Sequence, residues 1–320
     1  MTTRVAILGA GLMGHGIALV FARAGWSVVV TDSDADAMSS LHRRVAETLT
    51  SLGEEATVAG EIAVVPSLPE AVAGASFVVE AVPENLEIKR TIFAAASESA
   101  PREATLASNT SAISISQIAT AAKRPDRVVG THFWNPPYLV PLVEVVQGDQ
   151  TSAETVEQAM DVLRSAGKKP VHVRKDIPGF IGNRMQHALW REAIFLVESG
   201  VADAQAVDEV VRSGFGLRLA ALGPLENADL VGLDLTLAIH EYLLPYLDWR
   251  PAPSPMLREL VDQGQLGTKT GSGFRRWDPV SEEETLSRLT KHLMRVVGLP
   301  LNRHPLDWRH GCDAASEEAP

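Results

Sequence analysis

The first 32 residues combine a short apolar strand, three spaced glycines, a helical segment and a second strand that ends in an acid. The run "RVAIL" is followed at once by "GAGLMG", in which Gly9, Gly11 and Gly14 have the spacing G-x-G-x-x-G. These glycines allow a tight turn, a close approach of the backbone to a pyrophosphate, and close packing of helix on strand. A second strand, "WSVVVTD", ends at Asp32. The segment predicts a βαβ unit that binds a dinucleotide.

Asp32 indicates which dinucleotide is preferred. It follows the third glycine by eighteen residues, a distance at which a carboxylate accepts from both hydroxyls of the adenosine ribose. Leu12 and Met13 open the helix, whose N-terminus supplies N–H donors for the phosphates. No arginine follows Asp32 in "TDSDAD", so a 2′-phosphate would be repelled. The sequence therefore predicts NAD as the cofactor.

Strand-like and helical segments alternate through the first half of the chain. Apolar runs recur at 61–65, 75–82, 104–108, 127–133, 142–146 and 170–173. Helical segments fall between most of them, at 35–50, 86–97, 114–122 and 152–166. This alternation predicts an α/β fold with a doubly wound Rossmann-type sheet. Ligands of such sheets bind beyond the carboxyl ends of the strands.

The second half of the chain is predicted to be all-α. Pro178 is a favoured first helical residue and opens a segment that runs to Gly200. Further helical segments follow at 204–213, 224–247, 254–263 and 281–296. We predict three regions: an NAD-binding domain at 1–176, a helical substrate and dimerisation domain at 177–300, and a disordered polar tail at 301–320. The apolar character of the helices favours a homodimer.

Composition excludes several classes of partner. The net charge of −11 and the pI near 5.3 argue against nucleic acid and anionic membrane surfaces. No apolar run approaches the ~20 residues that a membrane helix needs. The one cysteine, Cys312, lies in the polar tail, so neither a disulfide framework nor a cysteine-based metal site is expected. These features predict a cytoplasmic protein with a small-molecule substrate and no metal.

The stretch "THFWNPPYLVPLVEVV" contains a charge where apolar residues would bury better. Glu144 lies in a strand-like run, and a buried carboxylate costs several kcal/mol unless something pairs with it. The nearest upstream candidate is His132, which a fully extended chain would place roughly 40 Å away. Asn135, Pro136 and Pro137 between them are strong turn formers. The stretch therefore predicts strand, reversal and strand, with the histidine and the carboxylate brought together.

Seven motifs together resemble the L-3-hydroxyacyl-CoA dehydrogenase family. They occur in the family's order between residues 4 and 277: "GAGLMGHGIA", "VPENLEIK", "SNTSAISI", "HFWNPPYLVPLVEVV", "PGFIGNR", "LGPLENADLVGLD" and "KTGSGF". The resemblance implies an NAD-dependent oxidoreductase that converts a secondary 3-hydroxyl to a ketone, an activity associated with fatty acid metabolism.

The resemblance also implies roles for single residues. His132 matches the catalytic base and Glu144 the acid that orients it, while Ser111 and Asn183 match the polar residues that hold the substrate oxygen. The positions that match the family's remaining cofactor contacts are Glu84, Lys89, Ser111, Asn135 and Lys269.

Two departures from the family leave the substrate class open. The family carries lysines for the nucleotide end of CoA after its second strand, whereas "LHRRVAETLTSLGEEATVAG" has Arg43 and Arg44 followed by two acids, Glu54 and Glu55. The connection "GFGLRLAALGPLE" is longer than in the acyl-CoA enzymes and contains Arg218. It resembles the CoA-independent branch, which includes gulonate, carnitine and pyridine-carboxylate dehydrogenases. Arg218 could hold a substrate carboxylate with two parallel hydrogen bonds, or pair with Glu226 or solvent.

Two further classes of protein stay open at this point. The β-hydroxyacid dehydrogenases share the N-terminal fingerprint but use a lysine in place of the His–Glu pair, so His132→Asn would leave their turnover largely intact. A non-catalytic NAD-binding protein would bind the cofactor without transferring hydride.

Overall fold

The computed structural model describes residues 4–299 and contains two compact units. Within that range the first unit comprises residues 4–183 and 283–299, and the second is Arg184–Glu282. The domain limits that we predict at residues 176 and 300 stay a prediction. The tail at 301–320, with Cys312, lies outside the described residues.

The first unit is built on one eight-stranded sheet. Its strands are β1 (Arg4–Leu8), β2 (Ser27–Thr31), β3 (Ala63–Val64), β4 (Phe77–Glu80), β5 (Thr105–Ser108), β6 (Val128–Phe133), β7 (Leu142–Val146) and β8 (Lys169–Val173). The spatial order is β3-β2-β1-β4-β5-β6-β7-β8, and every neighbouring pair is parallel except β6 with β7. The prediction of a doubly wound sheet is confirmed.

Seven helices of the first unit cover the two faces of the sheet. They are α1 (Leu12–Arg23), α2 (Ala35–Ser39), α3 (Leu41–Leu52), α4 (Leu68–Val72), α5 (Leu86–Ser99), α6 (Ile115–Ala119) and α7 (Ala153–Ser165), with 3₁₀ turns at Ala56–Glu61 and Pro125–Arg127. Val5 and Ile7 of β1 pack with α1, α3 and α7, whereas Ala6 and Leu8 pack with α4, α5 and α6. Because successive side chains of a strand point to opposite faces, strands covered on both sides are apolar throughout.

Helices dominate the rest of the chain. They are α8 (Gly182–Glu198), α9 (Ala204–Ser213), α10 (Gly216–Leu219), α11 (Pro224–Val231), α12 (Leu233–Leu243), α13 (Pro255–Asp262) and α14 (Pro279–Val296), with a 3₁₀ turn at Leu244–Tyr246. None of the helices α8 to α13 contains a buried residue. Met294 of α14 packs with Leu52 and Leu139 of the first unit. No helix between residues 4 and 299 is long and apolar enough to cross a membrane.

In the second half of the chain, one helix begins four residues later than the sequence predicts and another is divided. The helix expected from Pro178 begins at Gly182, because Gly179 and Phe180 have positive φ angles of 76° and 51° that no α-helix accommodates. The single helix expected over 224–247 is divided at Gly232. Its φ of 107° is not helical, so α11 ends before it and α12 begins after it. In both places backbone geometry overrides helical periodicity.

Candidate active site

The glycine loop between β1 and α1 forms a cradle for an anion. A Cβ atom on Gly14 would lie 1.9 Å from the carbonyl oxygen of Gly9, so only glycine allows this close contact of helix and strand. A Cβ on Gly11 would meet nothing within 4 Å, so the space above it is open. Leu12 and Met13 follow as the first residues of α1, which has no acidic side chain in its first turn. The open N-terminus of α1 therefore fits a pyrophosphate.

Asp32 follows β2 beside this loop. Its Oδ2 accepts from the backbone N–H of Ala10 at 2.5 Å, and its Oδ1 accepts from that of Asp34 at 2.9 Å. The carboxylate is thereby fixed beside the glycine loop, and its contact with the ribose of a dinucleotide stays a prediction.

Arg44 of α3 also belongs to this region, which the sequence did not indicate. Its guanidinium donates to the carbonyl oxygens of Ala10 at 2.6 Å and Ala37 at 2.8 Å. The contact with Ala10 joins residues more than thirty positions apart, so no local sequence pattern indicates it. Burial, as the largest cause, and the neighbouring Arg43 together lower the pKa of Arg44, against the opposing effect of Asp32. Arg44 braces the loop from the side of α3.

A buried ion-pair network lies at the carboxyl ends of β4 and β5. Lys89 of α5 is 1% exposed, and its Nζ contacts Glu80 Oε1 at 2.7 Å, Glu84 Oε2 at 3.2 Å and the carbonyl oxygen of Val82 at 3.3 Å. An ammonium has three donors, and these three oxygens account for all of them. Ser108 donates to the second oxygen of Glu80 at 2.6 Å. Lys89 therefore acts on this edge of the sheet through the acids that it neutralises.

Glu84 carries this network to the turn that contains Ser111. Its Oε1 accepts from Thr110 Oγ1 at 2.5 Å and from the backbone N–H groups of Ser111 and Ala112 at 2.9 and 3.1 Å. Burial raises the pKa of Glu84, but the hydrogen bond from Thr110 and the charge of Lys89 outweigh it, so the net shift is downward. Glu84 is thus an anion that shapes the turn, and the side chain of Ser111 stays exposed.

His132 and Glu144 face each other across the one antiparallel pair of the sheet. The register of β6 and β7 places the two residues directly opposite, and His132 Nδ1 lies 2.8 Å from Glu144 Oε2. The side chains are 6% and 2% exposed. The reversal that the sequence predicts occurs between Phe133 and Leu142. Asn135 lies in this reversal with its side chain exposed.

The segment that leads into α8 closes around this pair. Glu144 Oε1 accepts from the backbone N–H groups of Ile181 and Gly182, both at 2.9 Å. The buried ring of Phe180 lies 5.7 Å from the imidazole of His132, centroid to centroid. Burial raises the pKa of Glu144, but the hydrogen bonds from His132, Gly182 and Ile181 together outweigh this effect. The net shift of the pKa is downward, so the carboxylate stays ionised.

Asn183 reaches the same region from the first turn of α8. Its Nδ2 donates to the carbonyl oxygen of Ser111 at 2.9 Å. Through this bond and the bonds of Glu144, the first unit brings together four predicted residues: His132, Glu144, Ser111 and Asn183. Asn109, which the sequence analysis passed over, supports the group by accepting from the backbone N–H of Phe133 at 2.9 Å.

Two predicted residues belong to the second unit. Arg218 lies in α10 with an exposed side chain, and its guanidinium has no hydrogen bond or ion pair with any residue in the described range 4–299. Glu226, a possible partner for it, instead accepts from the backbone N–H of Gly223 at 3.4 Å. Lys269 lies exposed in the glycine-rich turn that follows α13.

Comparisons with known proteins agree with this geometry. Residues 4–177 match the NAD binding domain of 3-hydroxyacyl-CoA dehydrogenase, and residues 179–277 match the C-terminal domain of the same family. The chain is 36% identical over 301 residues to the 5-formyl-3-hydroxy-2-methylpyridine 4-carboxylate 5-dehydrogenase of Mesorhizobium japonicum, covering 92% of this chain and 97% of that protein. It is 39% identical over 279 residues to a probable 3-hydroxybutyryl-CoA dehydrogenase of Deinococcus radiodurans, covering 85% of this chain and 99% of that protein.

A solved structure gives the same picture. The crystal structure of a 5-formyl-3-hydroxy-2-methylpyridine 4-carboxylic acid 5-dehydrogenase, an NAD⁺-dependent dismutase, is similar with a TM-score of 0.85 and 34% identity, covering 94% of this chain and all of that one. The glycine cradle, Asp32 and the matches over both halves of the chain point to one conclusion. The chain belongs to the 3-hydroxyacyl-CoA dehydrogenase family and is an NAD-dependent dehydrogenase.

Proposed function

We propose that this enzyme oxidises a secondary hydroxyl group to a ketone with His132 as general base and Glu144 as its orienting acid. The observation that carries the proposal is the 2.8 Å bond between His132 Nδ1 and Glu144 Oε2. A carboxylate that accepts at Nδ1 holds the proton on that nitrogen and leaves the lone pair of Nε2 for a substrate. His132 then takes the hydroxyl proton at Nε2, and Glu144 stabilises the resulting imidazolium.

The cofactor supplies the complementary step. Bound NAD would supply a hydride acceptor for the carbon that carries the hydroxyl, and that carbon would be left joined to its oxygen by a double bond. The residues that would hold it are Gly9, Gly11, Leu12, Met13, Gly14 and Asp32, together with Asn135 and Lys269. Ser111 and Asn183 would hold the substrate oxygen. The hydrogen bond from Asn183 to the carbonyl oxygen of Ser111 keeps the two residues adjacent, so both can contact one oxygen atom.

We further propose that the substrate is a small free hydroxy acid or a related carboxylate-bearing alcohol. The guanidinium of Arg218 is exposed and has no partner within residues 4–299, so it is available to an anion. Such a group forms a bidentate contact with a carboxylate. The 36% identical relative from Mesorhizobium japonicum is named for a pyridine carboxylate, which fits this substrate class.

The basic residues after β2 argue in the same direction. Arg43 is paired with Glu47 at 2.9 Å, and Arg44 is directed to the carbonyl oxygens of Ala10 and Ala37. Glu54, in the same region, pairs with Arg23 at 2.6 Å. Arg44 is therefore directed at the backbone, and the charge of Arg43 is partly offset by Glu47, which weakens the attraction of this region for a 3′-phosphate of CoA.

The second candidate substrate is a 3-hydroxyacyl-CoA thioester. The 39% identity to a probable 3-hydroxybutyryl-CoA dehydrogenase favours it, since that similarity extends over nearly all of the relative. A thioester has no free carboxylate, so its turnover would not depend on Arg218.

Initial rates of NADH formation at alkaline pH separate the two candidates. The panel contains 3-hydroxybutyryl-CoA and free acids, namely 3-hydroxybutyrate, L-carnitine and L-gulonate. Wild type is compared with Arg218→Ala and with Arg258→Ala, which removes another exposed arginine of the second unit. We expect a free acid to be oxidised and its kcat/KM to fall roughly tenfold to a hundredfold in Arg218→Ala alone. Thioester turnover that is indifferent to Arg218 would establish the second candidate instead.

We also infer that the enzyme is a homodimer. The second unit exposes large apolar side chains, with Leu225 82%, Trp249 80% and Leu217 73% exposed. Apolar area of this extent is typical of a surface that a second copy covers. Light scattering coupled to gel filtration should give twice the chain mass of 34.4 kDa. A single chain mass at micromolar concentration would contradict the inference.

A further inference from the structure

We infer that Glu144 is a positioning residue for Asn183 as well as for His132, so that one carboxylate orients both the base and the amide that faces the substrate. Its two oxygens have different partners. Oε2 lies 2.8 Å from His132 Nδ1, and Oε1 accepts from the N–H groups of Ile181 and Gly182 at 2.9 Å each. The inference rests on the proposed function for the roles of His132 and Asn183.

The segment before α8 depends on this carboxylate for its conformation. Ile181 and Gly182 provide two of the first N–H groups of α8, which have no partner inside the helix. Just before them, Phe180 has a positive φ of 51°, a strained conformation that persists only where surrounding contacts impose it. The two bonds to Glu144 are such contacts, and a carboxylate also suits the positive end of the helix dipole.

The same contacts fix Asn183, which is the next residue along the chain. Gly182 packs so closely on Trp134 that a Cβ atom would lie 2.3 Å from its ring, and the ring of Trp134 lies 5.3 Å from that of His132. Asn183 then donates to the carbonyl oxygen of Ser111. With its N–H neighbours held by Glu144, Asn183 has little freedom to move relative to His132.

Glutamine at position 144 separates the two roles. Its amide oxygen can accept from Ile181 and Gly182, while its NH₂ donates to His132 Nδ1. The opposite orientation would direct NH₂ at two N–H donors and is disfavoured. Glu144→Gln therefore keeps α8 anchored but places the imidazole proton on Nε2, where it blocks the base. Glu144→Ala removes both functions, and His132→Asn removes the base alone.

Amide hydrogen exchange, measured by mass spectrometry on peptides that cover 178–185, tests the inference without any substrate. We expect the amides of Ile181 and Gly182 to exchange about tenfold faster or more in Glu144→Ala. Glu144→Gln and His132→Asn should exchange as wild type does. The inference is overturned if Glu144→Ala resembles wild type, or if either of the other variants matches Glu144→Ala.

A kinetic comparison distinguishes positioning from a general effect on stability. The substrate is whichever of 3-hydroxybutyryl-CoA, 3-hydroxybutyrate, L-carnitine and L-gulonate wild type oxidises fastest. Both Glu144 variants should lose kcat, but Glu144→Ala should also raise the substrate KM about tenfold, and Asn183→Ala should raise it by a similar factor. Equal KM values in Glu144→Ala and Glu144→Gln would contradict the inference. If none of the four compounds is oxidised, the proposed substrates fail while the exchange measurement still decides the role of Glu144.

Discussion

Nζ of Lys89 lies 2.7 Å from Oε1 of Glu80, and both side chains are 1% exposed. The same ammonium reaches Glu84, whose other oxygen holds the backbone of Ser111. A structural ion pair thus supports the turn that carries a predicted substrate residue. Unfolding measurements therefore report on the Lys89–Glu80 end of this network, and activity measurements report on the Ser111 end.

Lys89→Met should destabilise the protein by about 3–5 kcal/mol, because it leaves Glu80 buried without its partner. Urea denaturation followed by circular dichroism measures the change in the free energy of unfolding. Lys123→Met is the matched control, since Lys123 and its partner Glu98 are both more than half exposed. Its effect should stay below about 1 kcal/mol, and similar losses in the two variants would contradict the buried-pair explanation.

His132→Asn should lower kcat by roughly 10²–10⁴-fold, the usual contribution of a general base. NADH absorbance measures the rate, and thermal unfolding checks that the variant is folded. His172→Asn is the control. His172 lies in β8, and its Nε2 contacts the side-chain oxygen of Gln147 at 3.1 Å. Largely intact turnover in His132→Asn would instead indicate the lysine-dependent class of hydroxyacid dehydrogenases.

Gly11→Ala should weaken NAD binding without destabilising the fold. The added methyl meets no protein atom within 4 Å, so the free protein accommodates it, but it occupies space into which the pyrophosphate would fit. Overpacking of about 1–3 kcal/mol corresponds to a loss of roughly tenfold to a hundredfold in affinity. Calorimetric titration with NAD measures the effect.

Gly60→Ala provides the comparison for Gly11→Ala. A methyl at Gly60 also meets nothing within 4 Å, but that residue lies in the 3₁₀ turn before β3. NAD affinity should match wild type in this variant. Unchanged affinity in Gly11→Ala as well would place the pyrophosphate elsewhere.

Lys168 should make stability depend on alkaline pH. Its Nζ is buried against the carbonyl oxygens of Pro137 and Val140, and burial, with a smaller effect of Arg23, lowers its pKa from 10.5 to about 8. Between these values the unfolded chain binds the proton and the folded protein does not. Rising pH from 8 to 10.5 therefore stabilises the fold through this residue, by up to about 3 kcal/mol.

Unfolding of Lys168→Met across this pH range measures that contribution. The free energy of unfolding of wild type relative to the variant should rise steadily from pH 8 to pH 10.5. Lys169→Met, which removes an exposed neighbour, is the matched control. A constant difference for Lys168→Met would mean that Lys168 remains protonated in the fold.

Local pattern in the sequence determined the nucleotide-binding half of this protein. The glycine spacing, the acid at the end of β2 and the near-continuous apolar strands are each visible as short patterns along the chain, so periodicity and turn chemistry predict them. The His132–Glu144 pairing was also predictable, because the turn formers between them require a reversal and the buried charge requires a partner.

Tertiary structure alone decided which partners each charged side chain contacts. The sequence could not show that Lys89 is occupied by two acids, that Arg44 binds the carbonyl of Ala10, or that Glu144 also holds the start of α8. It also predicted a helix from Pro178 where the chain turns, because helical periodicity does not register the positive φ that packing imposes at Phe180. A hydrogen bond or ion pair depends on where two groups lie in space. For residues on different elements, only the assembled fold sets that distance.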